Sequence, residues 1–285
     1  MAERPFIITT APPAVDSHDF RGVERPGRDT SQTPIATLGA LLARQRHRYS
    51  PPEPSSSVLA TVDGENPPTL DLIYRAAERG AACWTRNHRG QVRELPMTRW
   101  IGGPEATSTD RLADDHILAH CVGGGPTLDL GCGPGRFAAA LQHRGCAALG
   151  VDSSQAAVDL TRARGGVAIR ADLFGSLPAE GCWDQILLAD GNIGIGGDPA
   201  RMVRRVAELL SPGGVVVAEI ESHSVAVGYE MLRWETEHHV GHWFPWSRVG
   251  ALGVGAVAGS AGLRVRSVVD VGSRIIVVLA ADTSS

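Results

Sequence analysis

The chain has 285 residues, 27 basic and 31 acidic, for a formal net charge of -4, and every basic residue is an arginine. Without lysine, Schiff-base chemistry and a phosphate loop of the lysine type are excluded, and the mild negative balance argues against a nucleic-acid partner, which needs a basic face. With 43 % hydrophobic residues the chain can bury a core. The five scattered cysteines, Cys83, Cys121, Cys132, Cys146 and Cys182, form no CxxC pair, which argues against a disulfide framework or a zinc knuckle. No window approaches ~18 apolar residues, and MAERPFIITTAPP lacks the apolar stretch of a leader. A soluble, cytoplasmic protein without membrane contact is expected.

Residues 1–68 are rich in Pro, Ser, Thr and Arg, as in YSPPEPSSS. Such a segment cannot offset its ordering entropy and is expected to be a disordered tail, with one short helix over 35–46. A cap of helix and hairpin is expected over 69–106. LDLIYRAAERG predicts a helix closed by Gly80, and two short strands flank the turn Asn87-His88-Arg89-Gly90. A domain is expected over 107–285. Leu112, Ile117 and Leu118 fall at helical spacing within 107–121. Strands follow at 127–130, 147–151, 167–170, 183–189 and 215–220. Between them lie helices at 137–144, after Ser153 or Ser154, and after the Asp198-Pro199 cap. Short apolar strands separated by helices make a buried, mostly parallel, doubly wound α/β sheet. The last two strands, 263–271 and 274–280, are joined only by Gly272-Ser273, so they must pair antiparallel.

TLDLGCGPGRF joins strand 127–130 to the next helix through Gly131, Gly133 and Gly135. A dinucleotide fingerprint needs a third glycine at position 136, where this chain has Arg136. Asp129, two residues before the first glycine, would repel a pyrophosphate but suits a ligand that is cationic there. S-adenosylmethionine, with its ammonium and sulfonium, is such a ligand. DLGCGPG resembles motif I of the class I S-adenosylmethionine-dependent methyltransferases, and the resemblance extends over about 107–281. It implies a seven-stranded sheet completed by the closing hairpin. It also implies that Asp152, in LGVDSS beside Ser153, holds the ribose hydroxyls. Asp172, in IRADLF, would accept from the adenine amino group with Leu173 alongside. Asp190, Gly191 and Asn192, in ILLADGNIG, would border the methyl position. Gly131, Gly133, Gly135 and Arg136 are expected to meet the ligand too, as is Cys132 through its backbone. The runs ADGNIGIGGDP and FPWSRVG further resemble actinobacterial methyltransferases.

The acceptor is less legible, because methyl transfer from a sulfonium needs placement and water exclusion more than a fixed base. Family members acting on nucleobase or glutamine amides read N-P-P-Y where this chain reads Asp190-Gly191-Asn192-Ile193. A small-molecule methyl acceptor is therefore expected. An insertion at about 221–247, ESHSVAVGYEMLRWETEHHVGHWFPW, is expected to cover the acceptor. Its Trp234, Trp243 and Trp246 would form an apolar wall with His223 beside them, and His238, His239 and His242, with Asp190, are the candidate catalytic groups. The alternative for this segment is an amphipathic hairpin with solvated histidines. No carboxylate or cysteine set completes a metal site around them. The early hairpin, with Arg86, His88, Arg89, Arg93 and Arg99, has three open roles: a lid over the cofactor, a homodimer contact, or a cap on the sheet. Two other functions stay open, a non-catalytic S-adenosylmethionine-binding partner and, disfavoured by the missing glycine, a nucleotide-dependent oxidoreductase.

Overall fold

A computed structural model describes residues 67–101 and 107–281. The expected tail over 1–68 and the short helix over 35–46 lie outside them, apart from the first two positions of a helix. In chain order the elements are α1 (Pro67–Glu78), β1 (Cys83–Asn87), β2 (Val92–Glu94), α2 (Met97–Ile101), α3 (Ser108–Ala119), β3 (Thr127–Leu130), α4 (Arg136–His143) and β4 (Ala148–Asp152). Then come α5 (Gln155–Ala163), β5 (Ala168–Arg170), β6 (Trp183–Leu188), a 3-10 turn (Ala189–Gly194), α6 (Pro199–Leu209) and β7 (Leu210–Ile220). The chain ends with β8 (Val227–Thr236), β9 (His239–Val240), β10 (Phe244–Val249), α7 (Ala251–Gly259), β11 (Leu263–Val271) and β12 (Arg274–Ala281).

The larger sheet has seven strands in the order β11-β12-β7-β6-β3-β4-β5. Strands β3 to β7 pair in parallel, and β12 enters antiparallel between β7 and β11. All four residues of β3 are buried, which explains why that strand shows no polar alternation. On β6, Ile186 and Leu188 pack with Met202, Val203 and Val206 of α6, while Leu187 packs with Ile117, Phe137 and Leu141 of α3 and α4. The two-residue period of the strand thus puts helices on both faces. Helix starts follow local chemistry. Thr107 and Asp110 close a capping box on α3, Ser154 accepts from the Ala157 amide to start α5, and Asp198 accepts from Arg201 ahead of Pro199. Of the two serines read as caps for α5, Ser154 is the one that acts.

The early hairpin and the late insertion, separate in sequence, form one antiparallel sheet. Its order is β10-β8-β1-β2, with β9 alongside β8. Thr85 of β1 stands opposite Trp234 of β8, and Leu232 of β8 stands opposite Phe244 of β10. Helix α1 joins this roof to the main sheet. Ile73 and Tyr74 pack with Cys83, Met97 and Ala156, and Asp71 accepts from the Ser154 hydroxyl at 2.5 Å and the Ala156 amide at 3.1 Å. Among the described residues no helix is long and apolar enough to cross a membrane.

Candidate functional site

The loop between β3 and α4 lies at the carboxyl edge of the parallel strands, where open α/β sheets take ligands. Gly131 has φ +70°, and a Cβ there would stand 2.7 Å from Asn192 Nδ2 and 3.0 Å from Ile195 Cδ1. Gly135 has φ +78°, and a Cβ there would stand 2.4 Å from the Thr161 side chain. Both positions exclude other residues by conformation and by space. The loop is fixed from three sides. Asp152 accepts from the Gly133 and Ser154 amides at 2.9 Å each, Thr161 donates to the Gly133 carbonyl at 2.9 Å, and Asn192 donates to the Leu130 and Gly131 carbonyls at 2.9 Å each. Burial raises the Asp152 carboxyl, and the amides oppose that shift.

Asp129 is 1 % exposed and its Oδ2 has no hydrogen-bond partner. Burial pushes its carboxyl up to about 7, against the pull of Arg136 and the Ala138 amide. An unpartnered buried carboxyl is costly in isolation, and because Asp129 lines the cleft described below it marks a place for a donor or a cation.

Asp190 occupies a different environment. Its φ is +53°, uncommon outside glycine, and its amide donates to Glu219 at 3.0 Å. Its carboxylate takes Arg99 at 2.5 Å and Arg136 at 2.6 Å. Arg136 and Arg274 both pair with Asp114, and Arg274 also grips Glu219 through two hydrogen bonds. Burial alone would raise the Asp190 carboxyl, but Arg136, Arg99 and Arg274 outweigh it and hold it below its ordinary range. A carboxylate so paired is a weak proton acceptor, and its position suits holding the turn after β6.

One cleft of about 1510 Å³ runs from the glycine loop to the underside of the roof. Asp129, Gly131, Cys132, Gly133, Arg136, Asp152, Ser153, Asp172, Leu173, Asp190, Gly191 and Asn192 all line it. Gly135 is not among the lining residues and instead starts α4. Asp172 is exposed and accepts from the Phe174 amide at 2.9 Å. Trp234, Trp243 and Trp246 line the roofed end. The histidines are placed elsewhere. His238 and His242 are exposed, His239 lies on β9 and His223 pairs at 2.8 Å with Asp270 at the cleft's edge, and none of these four histidines lines the cleft. The polar ends of the β8–β10 connection therefore turn outward while Trp234 and Trp246 are half-buried, and Trp243, at the cleft's edge, is exposed. Among the described residues no three His, Cys, Asp or Glu side chains gather as a metal site.

Sequence reasoning missed several wall residues. Tyr74 lies over the glycine loop, 3.2 Å from where a Gly133 Cβ would be. Arg99, read only as part of a basic face, reaches Asp190, and Arg164 fastens the Trp100 and Pro134 carbonyls at 3.0 Å each. Glu219, Glu221, Phe244 and Arg274 also line the cleft. The carboxylates at the end of β7 carried the one usable signal, since Glu219 and Glu221 interrupt an apolar run at the strand's carboxyl end.

Residues 127–214 match the family model described as a methyltransferase domain. A methyltransferase from Bacteroides fragilis, solved with S-adenosyl-L-homocysteine, is 20 % identical, with a TM-score of 0.61 over 75 % of this chain and 94 % of that one. The CcbJ methyltransferase from Streptomyces caelestis is 20 % identical, with a TM-score of 0.49 over 64 % of this chain and 92 % of that one. No curated protein matches the chain. The Bacteroides fragilis structure shares the fold, and the family match covers the strand, loop and helix succession that builds the cleft floor.

Proposed function

From the premise that this chain carries a class I S-adenosylmethionine-dependent methyltransferase domain, we propose that it transfers a methyl group to a small molecule held under the roof. The observation that carries the reading is Asp129, a buried carboxyl that lines the cleft and has one unpartnered oxygen, one strand away from Asp152. The residues fit the donor. Asp129 would take the α-ammonium, Asp152 and Ser153 the ribose, and Asp172 and Leu173 the adenine edge, with the backbone of Gly131, Cys132 and Gly133 against the methionine portion. When bound, S-adenosylmethionine supplies an electrophilic methyl on a sulfonium.

The chain's own residues then bind, orient and exclude water. Asp190 holds the turn that carries Asn192, and Arg136 holds Asp190. Helix α1 and the roof close the cleft from above. Two features support a small acceptor: the acceptor end lies beneath a continuous sheet, and the cleft exceeds the ~300–1,000 Å³ of a single-ligand pocket, leaving room for a second ligand beside the first.

Calorimetric titration with S-adenosylmethionine, S-adenosylhomocysteine and NADH tests the premise. Micromolar binding of the two sulfur ligands, with none of NADH, is expected. NADH binding alone would return the site to the oxidoreductase reading. Singly replacing His238, His239 and His242 by Ala is expected to leave turnover within about twofold of the parent, the scatter of surface substitutions of ~0.5 kcal/mol. A loss of turnover in any one of them would restore the base role to the insertion.

A further inference from the structure

The acceptor end of the cleft has a composition of its own. Trp234 and Phe244 stack with ring centroids 5.4 Å apart and 19° between planes, and Trp246 meets Phe244 edge to face at 6.4 Å. All three line the cleft, and none is fully buried. Aromatic side chains left half-covered inside a cleft offer ring faces to a ligand. This shelf adjoins the cofactor floor through one residue. Ile195 bridges to Trp246 on one side and stands 3.0 Å from a Gly131 Cβ position on the other.

The groups around the shelf constrain the nucleophile. Among the described residues no histidine lines the cleft. Asp190 is held by Arg99 and Arg136, Glu219 by Arg274, Glu221 by Arg93 and Arg248, and Asp270 by His223. Glu94 is solvent-exposed on β2, the outermost strand of the roof. Proton removal from a weakly acidic hydroxyl needs a positioned base; the free buried carboxyl oxygen of this cleft is that of Asp129, and the methyl-transfer reading commits it to the ammonium of the donor. Among the described residues eight carboxyl and six guanidinium side chains line the cleft, a balance that does not draw an anion.

We propose that the acceptor is a flat aromatic or heteroaromatic molecule that lies on the shelf of Trp234, Phe244 and Trp246 and offers an unprotonated nitrogen to the methyl donor. The inference rests on the methyl-transfer reading above. The nitrogen lone pair forms the N–CH3 bond as the C–S bond breaks with its electron pair staying on sulfur. The nitrogen takes the positive charge and, where it bears hydrogen, releases a proton to water. Placement by the shelf replaces a base.

The test uses the full chain. Binding of S-adenosylhomocysteine is measured first, and its absence would sink the methyl-transfer reading instead. The saturated complex is then titrated at pH 8 with isoquinoline, with 2-naphthoate and with decahydro-2-naphthol. These probes are planar and neutral, planar and anionic, and saturated and neutral. Isoquinoline is expected to bind about tenfold tighter than either, and Trp246→Ala to remove that margin while S-adenosylhomocysteine affinity stays unchanged. Phe244→Leu, which keeps apolar volume but removes a ring face, serves as a second variant and should weaken isoquinoline in the same sense. Equal binding of the saturated alcohol, tighter binding of the naphthoate, or indifference of both variants would overturn the shelf. Transfer from labelled S-adenosylmethionine is then compared between isoquinoline and 2-naphthol at saturating donor. Faster transfer to isoquinoline is expected. Equal or reversed rates, or no transfer to bound isoquinoline, would overturn the nitrogen assignment.

Discussion

Asp129 and Asp152 are neighbours on adjacent strands, yet the structure gives them different tasks. Asp152 has both oxygens engaged by loop amides, so it shapes the loop before any ligand arrives. Asp129 has an oxygen free and a carboxyl near 7. Below that pH it is protonated; above it, it is a carboxylate able to pair with a cation. S-adenosylhomocysteine affinity should therefore rise as pH goes from 6 to 8, before the ligand's ammonium begins to lose its proton. Asp129→Asn should flatten that rise, as isothermal titration at several pH values would show. The same raised carboxyl has a stability consequence of opposite slope. A group whose folded pKa exceeds its unfolded value makes the folded state bind more protons between the two, so the ligand-free protein loses stability as pH climbs from about 4 to 7. Asp152→Asn turns one acceptor into a donor facing an amide. It should weaken S-adenosylhomocysteine by roughly ten- to a hundredfold, the worth of one or two charge-assisted hydrogen bonds.

At the scale of elements, the roof sheet depends on Glu235. Its side chain is 4 % exposed and accepts from Trp84 Nε1 at 2.6 Å, Arg233 Nε at 2.6 Å and Arg86 Nε at 2.9 Å. The hydrogen bond from Arg86, then those from Trp84 and Arg233, outweigh burial and bring its carboxyl down to about 2. A depressed carboxyl gives stability that is complete above its unfolded pKa and lost as pH falls through about 4 towards 2. Glu235→Gln should therefore lower stability by about 2 to 4 kcal/mol at pH 7 and remove the acid-side loss, measured by denaturant melts at both pH values. The glycine-loop strands and helices were legible in the sequence because their signals are local: buried runs such as Leu128 to Leu130, caps such as Asp198-Pro199, and glycines where φ must be positive. The roof was not legible as one sheet. Pairing Thr85 with Trp234 joins residues about 150 positions apart, and nothing in either segment names its partner. The tryptophans of the insertion were readable as an apolar wall because their bulk must be covered. The placement of the histidines off the cleft was not legible, because polar residues in a β connection look the same whether they face a ligand or water.

At the scale of the molecule, roof and floor are tied by α1 and α2 as well as by the bridge from Ile195 to Trp246 of β10. Asp71 of α1 caps α5 beside Asp152, Tyr74 lies over Gly133, and Arg99 of α2 grips Asp190 after β6. Each tie ends on a residue next to the cofactor cleft. Burial first, then Asp152, raises the Tyr74 hydroxyl well above its ordinary pKa, so it stays neutral beside the carboxylates. A ligand that fixes Asp129 and the glycine loop should therefore quiet α1, α2 and β1 as well as β3 and β4, because local openings of these parts share contacts. Hydrogen exchange with and without S-adenosylhomocysteine would read this directly. Protection is expected in peptides covering 70–101 and 127–160, and weaker protection in β11 and β12, which lie at the far edge of the main sheet. Arg99→Ala should separate the two responses, leaving protection at 127–160 while reducing it at 83–101. If the ligand protects only the glycine loop and its flanking strands in the parent protein, the roof is an independent cover. The coupling between cofactor binding and acceptor-site closure would then have to come from the acceptor itself.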